Sequence, residues 1–478
     1  MFLDRIVTRT LEDLAQRKQD RPLEEIRHLA IQQSPPRDLL EAFAQRSRVN
    51  LIAEVKRASP SKGMLAPHLD PVETARIYEA NGAAAISVLT EPHFFLGSPT
   101  YLTEIKNSVS VPVLRKDFIV DEYQVYEARA WGADAILLIC AILDDTQLRH
   151  LLHVAHDLRM RCLVEVHNTD EARRAVDAGA VIIGVNSRDL VTFQMNPSLI
   201  RDLRPLIPAN RVVIAESGIH TAADARRLAR YDVQAMLVGE SLVVSADIPA
   251  HMRALLSGAN EGVQVKICGL RTPEQINAAI EAGADLLGLV FHEASHRALT
   301  PDEARGIVEA SQLSQYARDG RPTPELVGLF VNKDAEYVNE VAQTVGLTMV
   351  QLHGTESPEF CRQMTRPVIK ALHLHDQRDL EQIDRYRPVT WRLLLDTPSS
   401  TWGGTGQTHD WELARLAAQQ APIFLAGGLT PENVADAIRQ VHPRGVDVSS
   451  GVETNKQKDI AKIRAFIAQA RAVSFAHR

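Results

Sequence analysis

The sequence is poor in cysteine and has no long apolar run. Its four cysteines (Cys140, Cys162, Cys268 and Cys361) lie far apart, with no CxxC pair and no Cys/His cluster, so neither a disulfide framework nor a structural zinc site is supported. The longest apolar run, AILLICAIL from Ala135, is well short of the roughly 18 residues that span a bilayer. We therefore expect a cytoplasmic protein with no membrane partner.

The chain also lacks an excess of positive charge. Lys and Arg total 53 against 60 Asp and Glu, so the formal net charge is −7. No global positive field can hold nucleic acid, and any anion must be bound locally. Apolar residues make up 45% of the 478 residues and charged residues 24%, which favours a soluble globular protein over a disordered or fibrous one.

Short runs of Val, Ile and Leu alternate with stretches of helical spacing along the whole chain. Eight runs lie between VNLIAEVK at Val49 and AMLVG at Ala235, and eight more lie between VQVKICG at Val263 and GVDVSSG at Gly445. This alternation is typical of βα units that form a parallel sheet, and eight units predict a closed barrel. The predicted fold class is α/β, with two tandem (β/α)8 TIM barrels.

A short segment without periodicity separates the two sets of runs. SGANEG, residues 257–262, is rich in Gly, Ser and Asn and is predicted to be a linker between domains 1–256 and 263–478. The first 48 residues show helical apolar spacing and are predicted to form extra helices that cover one end of the first barrel. We expect each domain to be soluble and active alone, and the chain to be monomeric.

In barrels of this type, polar residues at the carboxyl ends of the strands form the active site. In the first half these predicted ends carry Glu54, Lys56, Ser59, Lys116, Glu165, Asn186, Arg188, Glu216 and Ser217. Any one of them is most simply a surface residue. Together they predict a catalytic constellation, centred on Lys56, Lys116 and Glu165, because charges in apolar strands are costly to bury unless they pair.

Glycine and serine follow the last two predicted strands of each half. They are Gly218, Gly239 and Ser241 in the first half, and Gly427, Gly428, Ser449, Ser450 and Gly451 in the second. Backbone N–H groups at such positions can approach a phosphate. A single glycine pair is most simply a turn, but four loops at matching positions predict two sites for phosphate esters.

The second half places a thiol and a carboxyl at strand ends. Cys268 ends the first predicted strand and Asp396 follows the sixth, where a thiolate and a carboxyl could act as base and acid. Buried cysteine is usually a core residue, but at this position we expect it to be open to the pocket. Arg297 suits an anionic substituent, and His353 completes the rim, although alone it is more simply structural. The Gly-rich segment 402–406 is predicted to be an active-site loop.

Two sets of motifs resemble known families. IAEVKRASPSKG from Ile52 and VLRKDFIVDEYQV from Val113 resemble indole-3-glycerol-phosphate synthase. VKICGL from Val265, QLHG from Gln351 and DVSSGVE from Asp447 resemble phosphoribosylanthranilate isomerase. The resemblances cover nearly the whole chain, in the order found in bifunctional tryptophan-biosynthesis enzymes of bacteria.

The synthase resemblance implies roles for the first half. Lys116 would be the general acid at the substrate's ketone, Lys56 would contact its carboxylate, and Glu165 would handle a proton during dehydration. The resemblance implies a supporting polar shell of Glu54, Asn186 and Glu216, with Ser59 beside the ligand. It also implies phosphate binding by Ser217, Gly218, Gly239 and Ser241. Arg188 and Ser217 are further predicted to bind substrate.

The isomerase resemblance implies that Cys268 is the general base and Asp396 the general acid, with Arg297 near the anthranilate carboxylate. The substrates would be small phosphorylated molecules, and neither step would need a metal or another cofactor. Two alternatives stay open at this point. One is a pair of sugar isomerases of histidine biosynthesis, a family that uses two aspartates for catalysis. The other is a sensor that binds a sugar phosphate but catalyses no reaction.

Overall fold

The computed structural model describes residues 2–44, 49–60, 62–190, 192–208, 210–260, 262–318, 323–396 and 411–473. The predicted active-site loop at 402–406 lies outside these residues. The chain divides into two compact units, Met1–Asn260 and Glu261–Arg478.

In the first unit, eight of the described strands form a closed parallel barrel, as predicted. They are β1 (Asn50–Val55), β2 (Ala85–Leu89), β3 (Val113–Lys116), β4 (Ala135–Ile139), β5 (Arg161–Val166), β6 (Ile182–Asn186), β7 (Val212–Glu216) and β8 (Ala235–Val238). Each strand pairs with its neighbours in sequence, and β1 closes the barrel against β8 with Asn50 opposite Ala235. The strands are almost entirely buried, because helices cover the outside and side chains fill the inside.

Helices precede, connect and follow these strands. They are α1 (Phe2–Asp20), α2 (Leu23–Gln32), α3 (Leu39–Ala42), α4 (Pro71–Ala80), α5 (Pro99–Lys106), α6 (Glu122–Ala130), α7 (Asp145–Asp157), α8 (Thr169–Asp177), α9 (Leu199–Leu203), α10 (Ala222–Ala229), α11 (Glu240–Val243) and α12 (Ile248–Asn260), with 3-10 turns at Cys140–Ile142 and Arg204–Leu206. A hairpin pairs Ala58–Ser59 with Gly63–Met64. Helices α4 and α5 each begin with a proline after a capping residue, Asp70 and Ser98, whose side chain accepts from backbone N–H groups of the first turn.

The N-terminal helices contact both ends of the barrel, not one end as predicted. The ring of Phe2 lies 5.4 Å from that of Phe94 and 5.2 Å from that of Phe193, which follow the carboxyl ends of β2 and β6. At the opposite end, the Asp38 carboxylate accepts from the guanidinium of Arg161, the first residue of β5, at 2.6 Å. The extension therefore runs from the mouth of the barrel to its base.

Helix α12 extends into the predicted linker, so that residues 257–260 are helical. A Cβ atom at Gly258 would lie 2.3 Å from the backbone oxygen of Ala222, so the glycine allows α12 to pack closely on α10. The Asn260 side chain accepts from the N–H of Val49 at 2.7 Å and donates to its carbonyl at 3.0 Å. The small and polar residues that indicated a linker thus serve packing and hydrogen bonding, and the domain limits 1–256 and 263–478 stay a prediction.

The second unit contains another closed parallel barrel of eight described strands, also as predicted. They are β9 (Gln264–Cys268), β10 (Leu286–Val290), β11 (Glu325–Phe330), β12 (Met349–Leu352), β13 (Val368–Leu372), β14 (Arg392–Leu395), β15 (Ile423–Leu425) and β16 (Gly445–Val448). The helices are α13 (Pro273–Ala282), α14 (Pro301–Ala310), α15 (Leu313–Arg318), α16 (Ala335–Val345), α17 (Pro358–Cys361), α18 (Glu381–Tyr386), α19 (Trp411–Gln420), α20 (Val434–Val441) and α21 (Ile460–Ala472). The 3-10 turns are Gln377–Leu380, Arg387–Val389 and Ser450–Val452, and a hairpin pairs Glu453–Thr454 with Gln457–Lys458. Strand β9 closes the barrel against β16, with Gln264 opposite Gly445.

Cys140, Cys162 and Cys361 are buried, as predicted for core residues. In the part of the chain that the structure describes, no helix has the length and apolar character needed to cross a membrane. Within the same residues, no cluster of three or more His, Cys, Asp or Glu side chains is arranged to hold a metal ion.

Candidate active sites

Buried charges gather at the carboxyl ends of the strands of the first barrel. Nζ of Lys116, at the end of β3, lies 3.2 Å from Oε2 of Glu165 on β5 and 3.3 Å from Oε2 of Glu216 on β7. Nζ of Lys56, just after β1, lies 2.7 Å from Oε1 of Glu54. The Glu54 carboxylate also interacts electrostatically with Lys116 and Glu165, so the structure brings the predicted residues into one cluster.

The environments of the two carboxyls beside Lys116 drive their pKa values apart. Burial works to raise the pKa of Glu165, but the charges of Lys116 and His167 outweigh it, and the pKa falls well below its usual range. Burial raises the pKa of Glu216 to about 8, with Lys116 opposing the shift and Glu165 adding to it. The pKa values of Glu165 and Glu216 thus shift in opposite directions, a split typical of acid–base sites.

The Lys116 ammonium is stabilised by the same cluster. Burial alone would lower its pKa, but the carboxylates of Glu165, Glu216 and Glu54 raise it above the usual value. Lys116 is therefore held as an ammonium ion.

The loops after β7 and β8 lie side by side. Ser217 and Gly218 adopt positive φ values of 66° and 70°, and the Ser241 hydroxyl donates to the carbonyl of Ile219 at 2.8 Å. A Cβ atom at Gly239 would lie 2.5 Å from Oε1 of Glu54, so this glycine makes room for that carboxylate. The structure thus places the predicted phosphate loops next to the charged cluster.

Ion pairs hold the carboxylate of Glu240, which follows Gly239. Its two oxygens lie 3.0 Å from Nζ of Lys62 and 3.6 Å from a guanidinium nitrogen of Arg188. Asn186 shapes the turn before Arg188, because its side-chain oxygen accepts from the Arg188 N–H at 3.0 Å. Ser59 is buried in the first hairpin, and within the described residues its hydroxyl has no hydrogen-bond partner.

In the second barrel, Cys268 ends β9 and Asp396 directly follows β14, so both lie at the carboxyl end. Oδ2 of Asp396 lies 3.2 Å from Nε2 of His353, whose Nδ1 lies 2.8 Å from the amide nitrogen of Gln351. His353 is therefore a direct neighbour of the predicted acid. Gln351, which places the ring, was not singled out in the sequence.

Cys268 is only 3% exposed, so the prediction of an open thiol is wrong. Its strand end is tightly enclosed, since a Cβ atom at Gly288 on β10 would lie 2.9 Å from its Sγ. Burial raises the pKa of the thiol, and the Lys266 ammonium partly opposes this shift. Lys266 lies two residues earlier on β9 and its Nζ is 2.9 Å from Oδ1 of Asp447.

The Arg297 guanidinium forms a two-pronged ion pair with Glu453, at 2.6 and 2.9 Å. Lys458 donates to the same carboxylate at 2.8 Å and to the carbonyl of Ser449 at 2.7 Å. Burial works to raise the pKa of Glu453, but the two cations lower it to about 2. Two positive charges share one carboxylate, which leaves the group net positive beside a predicted phosphate loop.

The loops after β15 and β16 also touch. Gly427 and Gly428 have φ values of 79° and 66°, and a Cβ atom at Gly451 would lie 1.8 Å from the carbonyl oxygen of Leu429. The Ser449 hydroxyl donates to the carbonyl of Cys268 at 3.2 Å. Ser450 begins the 3-10 turn that precedes the hairpin of Glu453–Thr454 and Gln457–Lys458. The loops predicted to approach a phosphate are thus adjacent in both barrels.

Comparison with known families assigns the two barrels. Residues 3–255 match the family model of indole-3-glycerol phosphate synthase, and residues 265–469 match that of N-(5'phosphoribosyl)anthranilate isomerase. The chain belongs to both families. The first barrel is the synthase domain and the second is the isomerase domain, so the comparison does not favour sugar isomerases of histidine biosynthesis.

Single-chain relatives align with this chain across both barrels. A multifunctional tryptophan biosynthesis protein of Phycomyces blakesleeanus is 39% identical over 496 residues, which cover 92% of this chain and 65% of that protein. The TrpCF protein of Vibrio cholerae is 36% identical over 480 residues, which cover 98% and 96%. The chain thus spans about two thirds of the fungal relative and nearly all of the bacterial one. The solved phosphoribosylanthranilate isomerase of Thermotoga maritima is 40% identical and covers 44% of this chain and all of its own, with a TM-score of 0.40.

The sequence reasoning missed His167 in the synthase barrel, and Lys266, Glu453 and Lys458 in the isomerase barrel. His167 follows β5 directly, two residues after Glu165, and that spacing places both side chains on one face of the strand end. Lys266 precedes Cys268 by the same spacing. The period-two rule could therefore have identified both residues, whereas the contacts of Glu453 depend on a hairpin that only the structure shows.

Proposed function

We propose that the chain catalyses two consecutive steps of tryptophan biosynthesis, first in the isomerase barrel and then in the synthase barrel. The isomerase converts N-(5-phosphoribosyl)anthranilate into 1-(2-carboxyphenylamino)-1-deoxyribulose 5-phosphate. The synthase closes this product to indole-3-glycerol phosphate and releases carbon dioxide and water. The observation that carries the proposal is the Lys116 ammonium between Glu165 and Glu216 at the mouth of a synthase-family barrel.

In the isomerase barrel, Asp396 is proposed to protonate the ribose ring oxygen and open the ring. Cys268 then removes the C2′ proton, and the resulting enol rearranges to the ketose. The contact between His353 and Asp396 supports this role, because it fixes the carboxyl at the mouth. The nearby Lys266 ammonium favours the thiolate form of Cys268. Arg297, held by Glu453, receives the anthranilate carboxylate.

In the synthase barrel, Lys116 is proposed to donate its proton to the ketone oxygen while the anthranilate ring carbon attacks the ketone carbon. The carboxylate, in contact with Lys56, leaves as carbon dioxide. Lys116, reprotonated from solvent, then protonates the new hydroxyl, which leaves as water while Glu165 accepts a proton from the new ring. The pKa shifts set the starting protonation states, because Lys116 is a cation and Glu165 an anion before reaction, and the buried ammonium can stabilise negative charge at the ketone oxygen.

The remaining predicted residues are proposed to bind substrate. The synthase site is lined by Glu54, Ser59, Asn186, Arg188, Glu216 and Ser217. Its phosphate is held by Gly218, Gly239 and Ser241. The isomerase phosphate is held by Gly427, Gly428, Ser449, Ser450 and Gly451. The adjacency of the paired loops in each barrel supports this assignment, since their backbone N–H groups can converge on one anion. We further propose that the chain acts as a monomer in the cytoplasm, on its two phosphorylated substrates.

Two alanine variants of the full chain test the division of labour. Cys268→Ala is expected to lower the isomerase kcat at least about a hundredfold and leave the synthase step unchanged, because the base belongs to one barrel. Lys116→Ala is expected to do the reverse. Both reactions are assayed on purified protein with metals chelated. If either variant, still folded, lost both activities equally, the proposal would be wrong.

A further inference from the structure

His167 connects the carboxylate of Glu165 to a second, more distant carboxylate. Its Nε2 lies 3.2 Å from Oε1 of Glu165, while Oε2 of Glu165 faces Lys116 at the same distance. Its Nδ1 lies 3.1 Å from Oε2 of Glu171 on α8. Glu165 is therefore enclosed by a cation on each oxygen, one from β3 and one from the loop after β5.

Glu171 holds the imidazole in place. Besides the contact with Nδ1, the same Oε2 accepts from the backbone N–H of His167 at 2.8 Å. Oε1 of Glu171 accepts from the side-chain amide of Asn168 at 2.7 Å. Because both oxygens of Glu171 are occupied and its side chain is largely buried, the ring has little freedom to turn away from Glu165.

We propose that His167, oriented by Glu171, is a positioning residue that holds the Glu165 carboxylate in place and ionised for the synthase step. This rests on the proposed function, in which Glu165 accepts a proton. One oxygen of Glu165 stays on the imidazolium, and the other stays beside Lys116 and the substrate.

The charges around this chain of contacts agree with an imidazolium. Glu165 faces Lys116 on β3, Glu216 on β7 and Glu54 on β1, and Glu171 faces Arg174 and the thiol of Cys140. Burial works to lower the pKa of His167, but the two flanking carboxylates raise it to about 10. The ring therefore carries its positive charge throughout the neutral range.

A purely structural interpretation of His167 also exists. Asn168 caps α8 by accepting from the N–H of Glu171, and Glu171 reaches back to the N–H of His167, a pairing that stabilises a helix start without any catalytic role. Within the described residues, Nε2 of His167 has no aligned hydrogen-bond acceptor, so its approach to Glu165 rests on distance and charge. Catalytic contacts of this kind often tighten when substrate binds.

Three variants of the full chain separate the two interpretations: His167→Gln, His167→Lys and Glu171→Gln. The measurement is the single-turnover rate of ring closure as a function of pH. We expect His167→Gln to lower this rate at least about tenfold at neutral pH, with KM changed less than about twofold, because the reacting carboxylate is misplaced. Loss of the cation also raises the pKa of Glu165 from its position well below the usual range, so an acid limb that lies below the assay range in the wild type is expected to appear within it, at about pH 4 or above.

The other two variants test charge and orientation. His167→Lys keeps a cation and is expected to leave the acid limb where it lies in the wild type. Glu171→Gln is expected to move the limb in the same direction as His167→Gln, but less far. His150→Gln is the matched control, because His150 also contacts a carboxylate, that of Glu122 at 3.3 Å, but is exposed on α7. Circular dichroism of the same chains reports folding, and their isomerase activity shows whether the second barrel is unaffected.

The outcomes distinguish this inference from the proposed function. Glu165→Gln is measured in parallel. If Glu165→Gln loses ring closure while His167→Gln changes only the thermal midpoint and keeps the rate and the acid limb, the positioning role is refuted and the proposed function stands. If Glu165→Gln keeps the wild-type rate, the role of Glu165 in the proposed function fails, and the inference fails with it.

Discussion

A Cβ atom at Gly184 would lie 2.1 Å from Oε1 of Glu216. Gly184 is the central residue of β6, and Glu216 ends the adjacent strand β7. No real side chain tolerates such a contact, so the glycine provides the space that the carboxyl occupies beside Lys116. Gly288 does the same for the Sγ of Cys268 in the isomerase barrel. Glycine inside a strand commonly marks such a close approach.

Gly184→Ala is therefore expected to impair the synthase step. The methyl group would displace the Glu216 carboxyl and with it the Lys116 contact of 3.3 Å. We expect the synthase kcat to fall about tenfold or more, because small displacements of reacting groups are costly, while isomerase kcat stays unchanged. Gly288→Ala is expected to give the reverse pattern. Both steps are measured on the full chain.

Gly306→Ala is the matched control for this pair. Gly306 lies within α14 with open space around the position of a Cβ atom, so alanine is expected to leave both activities unchanged. An unchanged synthase kcat in Gly184→Ala would contradict the steric role assigned to this glycine.

The alternation of apolar runs was enough to predict both barrels. Each of the runs contains one of the observed strands. The reason is that a strand buried on both faces needs apolar, mostly branched side chains at nearly every position. The strand ends then follow, and with them Lys116, Glu165, Cys268 and Asp396. In a closed parallel barrel all carboxyl ends lie on one side, so the position in the strand alone places a residue at the mouth.

Pairing across the barrel could not be predicted in the same way. Lys266 contacts Asp447 because β9 pairs with β16 to close the barrel. The sequence of neither strand specifies the register of that pairing. Gly258 lies in the segment predicted to be a linker, and its local sequence does not reveal that it packs against the backbone of Ala222. Interactions that depend on two distant segments need coordinates.

The contacts at the end of α12 lead us to predict where the first domain ends. A fragment ending at residue 256 lacks Gly258, Ala259 and Asn260, and so loses both hydrogen bonds between Asn260 and Val49. We expect fragment 1–260 to be more stable than fragment 1–256 by about 1–3 kcal/mol, because two hydrogen bonds and the packing of α12 on α10 are restored. Urea unfolding followed by circular dichroism measures the difference, and Asn260→Ala in fragment 1–260 isolates the hydrogen bonds. Equal midpoints would place the limit at 256.

The lowered pKa of Glu453 leads us to predict how the stability of the fold changes at acid pH. Its pKa falls from an ordinary value of 4.5 to about 2 in the folded protein, so its ionisation stabilises the fold above pH 4.5, and this contribution is lost as the pH falls towards 2. Glu453→Gln is expected to lower the unfolding midpoint in urea at about pH 6, and this difference is expected to shrink towards about pH 3. The exposed Glu309 gives the control Glu309→Gln. A difference that persisted at low pH would show that packing, not charge, is responsible.

The close approach of Gly451 to Leu429 leads to a prediction about phosphate binding in the isomerase barrel. Gly451→Ala would place a methyl group 1.8 Å from the Leu429 carbonyl and push apart the loops proposed to hold the phosphate. Gly427 and Gly428 have positive φ and alanine would strain them, whereas Gly451 does not, so this variant tests the spacing of the loops alone. We expect the isomerase KM to rise about tenfold, and inhibition by inorganic phosphate to weaken in parallel, because substrate and phosphate are both proposed to bind through the N–H groups of these loops. The synthase reaction of the same chain is the internal control. If KM and phosphate inhibition both stayed at wild-type values in folded protein, the phosphate would have to bind elsewhere.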